Sequence, residues 1–401
     1  MDNQTKVDRT IGYCTNVHAG TSLAQTKANI ENYATKVKQI VSPDEPMGIG
    51  WWLSRQAVTE LFTLGAEGLP QLKDWFKQLG LIPFTCNGFP YGDFHETKVK
   101  HNVYEPSWST SERVGYTHAL IAILTEISSN FSHRSISTLP IGWPGQPCAN
   151  VDVDTAAINL LELAKSLREI ADSTGVFIHI DLEPEPGCIL QRSTDVVEFF
   201  ENYLLPNARQ LKIPAETVLG HIRICHDICH AAVMFEDQQT VINRYNQAGI
   251  RIGKVQVSSA IKIQLDDLST IDKEQALKQL QAFAEDRYLH QTMIRLADGK
   301  MKFFEDLPLA LNCEFAQKHI GEWRVHFHVP IFLDRFELIH TTQQDIIKCL
   351  QTIKNDDDIL HYEVETYAWN VLPKDLQTDD LAQGIAQEIN WLKDHMPHEQ
   401  S

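Results

Sequence analysis

The chain has 401 residues, of which 43% are hydrophobic and 22% are charged, a globular composition with enough apolar residues to bury a large core. Its 53 acidic and 35 basic residues give a net charge of −18, which argues against a nucleic-acid partner because phosphate binding depends on clustered lysine and arginine. No apolar run approaches the ~20 residues that a membrane helix needs, and the polar start "MDNQTKVDRT" contains no signal-peptide core. We therefore expect a cytoplasmic protein without membrane insertion, whose cysteines are free thiols.

Short β-branched or apolar runs alternate with longer amphipathic stretches along the whole chain. The predicted strands begin at Ile11, Met47, Pro83, Arg134, Val176, Val218, Ile252, Trp323 and His361. The stretches between them have helical periodicity, and the first helix opens with Ser22 and Gln25 in capping-box spacing. This alternation predicts an α/β protein with a parallel sheet and outer helices, which we interpret as a (β/α)₈ TIM barrel. An open doubly wound sheet is the alternative, but no G-x-G-x-x-G follows the first strand.

The longest gap between strand candidates explains why there is one more than the eight of a closed barrel. Residues 261–321 contain the helical stretch "DKEQALKQLQAFAED" and a hairpin with Asp298-Gly299 as its turn. We interpret 261–321 as an insertion near strand seven, with the strand at Gln256 and the strand at His328 sharing one barrel position. Residues 1–401 would then form a single TIM-barrel domain that ends in a C-terminal helix over 374–401.

Carboxylates and imidazoles recur where the predicted strands end, which is where a (β/α)₈ barrel carries its chemistry. In "HIDLE", "HFH" and "EVE", alternate residues share one face, and the member nearest the carboxyl end of each run is Glu183, His328 or Glu365. Asp227 and His230 in "CHDICH" can both turn inward if a helical turn begins there. Such side chains suit a divalent ion such as Zn²⁺, Mn²⁺, Mg²⁺ or Fe²⁺, which can polarise a carbonyl or two adjacent hydroxyls.

We predict from this pattern a metal site with nearby substrate contacts. The predicted metal ligands are Glu183, Asp227, His328 and Glu365, and the predicted substrate contacts in the same region are His230, Gln256 and His326. Other roles remain open at this stage: Asp227 could cap the following helix, and His326 could be a core histidine bonded to backbone. Cys225 and Cys229 could be small apolar fillers.

A second group of candidate residues lies in residues 86–117, a long βα loop rich in aromatic and basic side chains. Asn87, His95 and Arg113 are its predicted substrate-binding members, because aromatic groups beside Lys and Arg can stack a sugar and pair with an anion. His18 at the end of strand one and Trp52 at the end of strand two would line the same opening. The alternative is a packed loop with an aromatic cluster.

These strand ends resemble the xylose-isomerase-like barrels, a superfamily of sugar isomerases, sugar epimerases and endonuclease IV-type enzymes. The resemblance lies in Glu183 after a β-run, D-x-x-H at Asp227–His230, Gln256 in "KVQVSSA" and Glu365 in "YEVET". It implies that Glu183, Asp227 and Glu365 are metal ligands and that His230 is a substrate contact or a ligand. The family usually has a metal-binding histidine where this chain has Gln256, so we expect His328 or His326 to supply the missing imidazole.

A closer resemblance covers essentially the whole chain. The segments "IGYCTNVHAG", "FTCNGFPYGDFH", "VKHNVYEPSW", "LEPEPGC" and "CHDICHAAVMFED" are similar to the EboE family of metabolite traffic proteins, encoded in a bacterial gene cluster. This resemblance implies a role in moving precursors of secondary metabolites, with proteins of the same gene cluster as partners.

The sequence thus predicts a divalent-metal-dependent isomerase or epimerase for a small polyhydroxylated or carbonyl metabolite. Glu183 and Glu365 would move a proton at carbon, because two carboxylates near one substrate can shuttle a proton between faces. Two other functions stay open. One is a metal-dependent phosphoesterase of the endonuclease IV-like branch, and the other is a barrel that binds a metabolite without converting it.

Overall fold

The computed structural model describes residues 9–128 and 132–396, and eight parallel strands in this part of the chain form a barrel. Going round the barrel, the order is β1-β14-β7-β6-β5-β4-β3-β2, and a bridge between Cys14 and Gly50 joins β1 to β2. The strands are β1 Thr10–Tyr13, β2 Met47–Trp52, β3 Leu81–Asn87, β4 His133–Thr138, β5 Phe177–Leu182, β6 Ile222–Asp227, β7 Ile252–Val257 and β14 His361–Val364. The predicted (β/α)₈ barrel is confirmed.

Helices cover the outside of the barrel, and their apolar faces pack on the sheet. The first one begins as predicted, since Ser22 and Gln25 form a capping box. The α-helices are α1 Leu23–Asn29, α2 Thr35–Val41, α3 Arg55–Thr63, α4 Gly68–Leu79, α5 Ser111–Ile127, α6 Val153–Thr174, α7 Ser193–Phe199, α8 Leu205–Gln210, α9 Ala215–His221, α10 Ile228–Val233, α11 Gln238–Gln247, α12 Thr270–Gln281, α13 Leu307–Leu311, α14 Glu314–Lys318, α15 Gln343–Thr352 and α16 Leu381–His395. Short π-helical turns at Ile30–Ala34 and Phe200–Leu204 join α1 to α2 and α7 to α8.

A second sheet stands on the barrel after β7, and it corrects one prediction. Its six antiparallel strands have the order β10-β9-β11-β8-β13-β12. The strands are β8 Ser259–Gln264, β9 Thr292–Arg295, β10 Met301–Phe304, β11 Glu322–Val329, β12 Arg335–Phe336 and β13 Ile339–Thr341. The hairpin at Asp298-Gly299 is present as β9 and β10. However, the strands of Gln256 and His328 do not share one barrel position, because β7 pairs with β6 and β14 while β11 pairs with β8 and β9.

The barrel interior contains buried charged side chains, and a glycine on β2 leaves space for them. Lys254 of β7 forms a fully buried ion pair with Glu363 of β14 and donates a hydrogen bond to Ser137 Oγ at 2.9 Å. A Cβ atom at Gly50 would lie 1.2 Å from Glu363 Oε1, so only glycine leaves room for this carboxylate. The charged layer therefore forms a floor beneath the carboxyl ends of the strands.

No helix within residues 9–128 and 132–396 combines the length and the apolar character needed to cross a membrane. The last helix, α16, lies within the range predicted for a C-terminal helix, and residues 397–401 of that range lie outside the described part of the chain.

Candidate metal centre

The carboxyl ends of β5, β6 and β14 and the end of β11 bring acidic and imidazole side chains to one buried point. Overlapping groups of three have ligand atoms within 4.8 Å of one another, and all the members are buried. These donor residues are Glu183, Glu185, Asp227, Cys229, His230, His326, His328 and Glu365. The barrel supplies the carboxylates. The second sheet places two histidines of β11, His326 and His328, over the mouth of the barrel.

Three histidines in this group each have Nδ1 next to an oxygen acceptor. His230 Nδ1 lies 2.9 Å from the main-chain oxygen of Pro184, and His328 Nδ1 lies 2.8 Å from that of Glu365. A carbonyl oxygen only accepts, so Nδ1 carries the proton in both rings. His326 Nδ1 lies 2.7 Å from the side-chain oxygen of Gln291, which assigns its proton in the same way. Each ring therefore presents Nε2 to the cavity as a lone pair.

These lone pairs face one another at close range. His326 Nε2 lies 3.1 Å from His230 Nε2 and 3.2 Å from His328 Nε2. Nitrogens about 2.0–2.1 Å from one tetrahedral Zn²⁺ are about 3.3 Å apart, so the observed spacing fits a shared ion. Burial, followed by the neighbouring histidines, holds the pKa of His326 well below its usual value, and burial also lowers the pKa of His230. Neutral imidazoles are the form that binds a metal.

Asp227 ends β6 and has two roles, which explains the dense "CHDICH" segment. Its Oδ1 accepts hydrogen bonds from the His230 main-chain N–H at 2.9 Å and from Ser258 Oγ at 2.8 Å, and the first bond caps α10. Its Oδ2 is buried without a hydrogen-bond partner and lies 3.9 Å from Nε2 of both His230 and His328. Burial raises the pKa of Asp227, and the hydrogen bonds from the His230 main-chain N–H and Ser258 lower it.

Glu183 and Glu365 complete a carboxylate group with Asp227, with one oxygen of each within 4.8 Å of the others. Glu365 Oε1 accepts hydrogen bonds from Asn16 Nδ2 at 2.7 Å and from Asn87 Nδ2 at 3.2 Å. Glu183 Oε2 is buried without a partner. Burial raises the pKa of Glu183 well above its usual value, and the nearby Glu365 and Asp227 raise it further. Three clustered carboxyl groups with unused oxygens favour a bound cation.

Glu185 joins the centre through residues that the sequence did not single out as ligands or contacts. Its Oε1 accepts hydrogen bonds from Tyr104 Oη at 2.7 Å and Gln291 Nε2 at 2.9 Å. Burial raises the pKa of Glu185 to about 7, although these two hydrogen bonds lower it. Glu185 directly follows Glu183 and Pro184 at the end of a predicted strand, and this position could have identified it from the sequence. No sequence feature identifies Gln291, because its role arises from the pairing of β9 with β11.

A cavity of about 60 Å³ lies above these groups. Its wall contains apolar and aromatic side chains from the loop after β3, from the segment before β9 and from the residues after β14: Phe89, Phe94, Val99, Val103, Tyr104, Tyr288, Leu289 and Tyr367. Its polar end is formed by Asn16, Asn87, Glu183, Glu185, His230, His326, His328 and Glu365. One end can thus hold an ion, and the other offers an apolar surface to a ligand.

The structure brings together most of the predicted site residues. Those that line the cavity or lie in the donor group are Glu183, Asp227, His328 and Glu365, with His230, His326 and Asn87. Cys229 lies in the group with His326 and His328, and burial raises the pKa of its thiol well above the usual value. Cys225 is fully buried in β6, and all eight cysteines are free thiols.

Five predicted substrate contacts do not line the cavity, and their role in substrate binding stays a prediction. His18 bonds Tyr13 Oη at 2.9 Å and stacks on Tyr33, while half-buried His95 bonds the main-chain oxygen of Asn16 at 2.6 Å. The indole N–H of Trp52 donates to the oxygen of Pro90 at 3.0 Å.

The other two are Arg113 and Gln256. Arg113 is buried and donates to three loop carbonyls, those of Gly88, Phe89 and Pro106. Gln256 is fully buried in β7 opposite Glu363, in the layer beneath the donors. Burial explains these placements: an aromatic or basic residue near a strand end looks the same in sequence whether it faces the cavity or the loop behind it.

Comparisons with known proteins concern the fold. No family model and no curated protein matches this chain. A xylose isomerase-like TIM barrel protein from Mycobacterium smegmatis in complex with magnesium is similar, with 10% identity and a TM-score of 0.48 over 99% of this chain and 98% of that chain. The IOLI protein with a bound zinc atom has 10% identity and a TM-score of 0.47 over 96% and 98% of the two chains. The probable 3-DHS dehydratase AsbF from Bacillus anthracis has 12% identity and a TM-score of 0.46 over 96% and 98%.

Proposed function

We propose that this chain is a divalent-metal-dependent isomerase or epimerase that acts on a small polyhydroxylated or carbonyl metabolite. The observation that carries the proposal is the meeting of three Nε2 lone pairs and three carboxyl groups at the polar end of a cavity with a partly aromatic wall. A cluster of this kind without a cation would leave lone pairs and buried carboxyl oxygens facing each other, which is unfavourable in a low-dielectric site.

The donor set indicates which residues hold the ion and which ion they prefer. We assign Glu183, Asp227, His328 and Glu365 as ligands, as the sequence predicts, and His230 and His326 as neighbours that complete the coordination or contact the substrate. Imidazole ligands favour Zn²⁺ over Mg²⁺, and the carboxylates also admit Mn²⁺. Main-chain oxygens that fix Nδ1 of His230 and His328 orient both rings, as is typical of metal-binding histidines.

The proton transfer belongs to the protein's own carboxyl groups. When bound, the divalent ion would polarise a carbonyl or hydroxyl oxygen of the substrate and so acidify the neighbouring C–H. Glu183 and Glu365 have oxygens within 4.8 Å of each other, so both reach the same carbon region. Asn16 and Asn87 hold Oε1 of Glu365, which fixes that carboxylate in one orientation. One carboxyl group can remove a proton that the other returns, which moves a hydrogen or inverts a carbon.

The cavity limits the size of the substrate. A volume of about 60 Å³ is several times the ~10–15 Å³ that one water needs. It therefore admits a substrate of a few carbons. The aromatic side chains of the wall shield one side of that substrate from water.

The proposal is tested by metal content and by hydrogen exchange at carbon. Inductively coupled plasma mass spectrometry of the purified chain should find at least one ion that is lost in both Asp227→Ala and His328→Ala but kept in Gln256→Met. The Zn²⁺- or Mn²⁺-loaded protein is then incubated in D₂O with short ketoses and hydroxy-aldehydes, and NMR follows deuterium at carbon. Exchange that falls at least ~100-fold in Glu365→Gln supports general acid–base catalysis. The buried carboxyl variant Glu388→Gln is the control and should exchange normally.

One observation favours a second function, a metal-dependent phosphoesterase. The donors form overlapping groups, with Glu183, Asp227 and Glu365 on one side and Glu185, His230 and His326 on the other, which gives room for two ions. Two metal ions about 3.5–4 Å apart are typical of phosphate-ester hydrolysis. Two bound ions with phosphate release and no deuterium at carbon would favour this function. Substrate binding without either reaction would favour a metabolite-binding barrel, the role nearest to metabolite traffic and partners from the same gene cluster.

A further inference from the structure

A second histidine group lies at the opposite end of the barrel from the candidate metal centre. His133 is the first residue of β4, His361 is the first residue of β14, and His179 lies on β5. In the barrel order, β14 is opposite β4, so these rings meet across the interior. The ring centroids are 4.9 Å apart for His133–His179, 5.4 Å for His133–His361 and 5.5 Å for His179–His361. One ring nitrogen of each lies within 4.8 Å of the others.

Each of the three rings has a buried nitrogen without a hydrogen-bond partner. These atoms are His133 Nδ1, His179 Nε2 and His361 Nδ1. His361 Nε2 lies 3.3 Å from the main-chain oxygen of His133, which only accepts, so Nδ1 of His361 is a lone pair. Nδ1 of His179 lies 2.5 Å from Asp181 Oδ1, which can hold the proton there and leave Nε2 as a lone pair. A carboxylate behind a histidine in this way is typical of zinc ligands.

Space has been left for this arrangement where a barrel usually packs branched apolar side chains. A Cβ atom at Gly253 would lie 2.2 Å from Asp181 Oδ1 and 2.5 Å from His179 Nδ1, so the missing side chain makes room for the pair. Phe177 stacks on His133, with ring centroids 4.9 Å apart, and also on His221. The group is therefore built into the barrel end, next to an opening at the half-buried His133.

The charges around the group favour neutral imidazoles. Burial and the other histidines lower the pKa of His133 to about 2, and burial brings the pKa of His179 and His361 well below the usual value. The cations that face the group are Arg134, Arg223, Lys254 and, when protonated, His221, and the acidic group is Asp181. Neutral rings can bind a metal, but the arginines weaken the affinity for a dication.

We propose that His133, His179 and His361 bind one borderline divalent transition-metal ion such as Zn²⁺, with Asp181 holding the second nitrogen of His179. The ion joins opposite walls of the barrel and is structural. This site is independent of the proposed function, because it shares no residue with the cavity at the other end. Its ligands are imidazoles alone, so it prefers Zn²⁺ to Mg²⁺ and Ca²⁺.

Cobalt titration of the full chain tests the site without any substrate. In the triple variant Asp227→Ala/His230→Ala/His328→Ala, which removes a member of every donor group of the candidate metal centre, one equivalent of Co²⁺ should still bind and give the visible spectrum of a four-coordinate ion. Adding His361→Gln should abolish that equivalent. Adding His221→Gln should retain it, because His221 stacks on the same Phe177 but is bonded through Nδ1 to the main-chain oxygen of Ile178.

No bound cobalt in the triple variant, or equal binding with and without His361, would overturn the proposal. If these variants do not fold, diffraction at the zinc absorption edge answers the question on the unaltered protein. Crystals grown with two equivalents of Zn²⁺ should show an anomalous peak among the three rings. A peak at the candidate metal centre alone would overturn the proposal.

Discussion

Nδ1 of His326 donates a hydrogen bond to Oε1 of Gln291 at 2.7 Å, and this contact fixes which nitrogen of His326 faces the cavity. The same glutamine donates from Nε2 to Glu185 Oε1 at 2.9 Å and to Tyr104 Oη at 2.8 Å, so its amide cannot turn without losing these bonds. Gln291 thus sets the orientation of His326 without touching the cavity itself.

Replacement of Gln291 by leucine should therefore weaken metal binding. Without its acceptor, the His326 ring can rotate or change tautomer, and we expect the metal dissociation constant to rise about 10–100-fold, as for other second-layer partners of metal-binding histidines. Competition against a chromophoric chelator measures this constant on the stripped protein.

Gln238 provides a matched control on the same protein. Its Oε1 makes the equivalent contact with His226 Nε2 at 2.7 Å, but His226 does not line the cavity. Gln238→Leu should lose a similar buried hydrogen bond and leave the metal dissociation constant within about twofold of the wild type. Equal weakening in both variants would show that general loosening, and not the orientation of His326, controls affinity.

The fold could be read from the sequence because its signals are local. Runs such as that at Met47 and the alternation in "HIDLE" report burial directly, and regular helices between strands restrict the sheet to parallel topology. The shared barrel position of Gln256 and His328 was wrong for a physical reason. Antiparallel pairing of β11 with β8 and β9 depends on partners far away in sequence, and nothing in "WRVHFHVPIF" distinguishes a barrel strand from a strand of a second sheet.

The donor group was partly predictable for the same reason. Glu183, Asp227 and Glu365 stand at strand ends, and a parallel barrel brings all strand ends to one mouth. Arg113 and Trp52 have the residue types of a binding site, but their side chains point into the protein, and sequence does not report that direction. The role of Gln291 exists only once β9 lies beside β11.

The buried guanidinium of Arg113 should matter for stability and not for metal binding. It donates to Gly88 at 2.7 Å, Pro106 at 2.8 Å and Phe89 at 3.1 Å, and each of these hydrogen bonds involves a charged donor. Arg113→Met leaves these carbonyls without that donor, and we expect the free energy of unfolding to fall by about 3 kcal/mol. Urea denaturation measures the loss.

The exposed ion pair of Arg168 with Asp172 is the control, since Arg168→Met should lower the free energy of unfolding far less than Arg113→Met does. Metal stoichiometry should be unchanged in both variants. If Arg113→Met lost metal but kept its stability, the result would show that Arg113 belongs to the binding site and contradict a purely structural role.

Burial of His18 should make the protein sensitive to acid. Burial, with a smaller effect of His95, lowers the pKa of His18 to about 3, below the ~6.5 of an unfolded histidine. As the pH falls through ~6.5, the unfolded chain binds a proton that the folded protein does not, so stability decreases. The stability difference between wild type and His18→Gln should shrink by about 2 kcal/mol from pH 7.5 to pH 5.0.

The variant is needed because the other groups titrate alike in both proteins, so their contributions cancel when the two stabilities are subtracted at each pH. Chemical denaturation at the two pH values measures this difference. His118→Gln on the exposed side of α5 is the control, and its difference should change less with pH. A pH-independent difference for His18→Gln would mean that His18 titrates over the same pH range in the folded protein as in the unfolded chain.

Two glycine-to-alanine substitutions should have opposite effects. A Cβ atom at Gly50 would lie 1.2 Å from Glu363 Oε1, and Glu363 is paired with the buried Lys254, so Gly50→Ala must push the carboxylate out of its ion pair. Overpacking together with a disrupted buried pair should lower the free energy of unfolding by about 3 kcal/mol or more.

A Cβ atom at Gly115 in α5 would meet none of the described residues within 4 Å beyond the adjoining helix backbone, and Gly115→Ala should stabilise the helix by up to ~1 kcal/mol. Thermal unfolding of both variants beside the wild type measures the two effects. A neutral Gly50→Ala would mean that Glu363 has another position available and that the charged layer beneath the metal centre is not rigid.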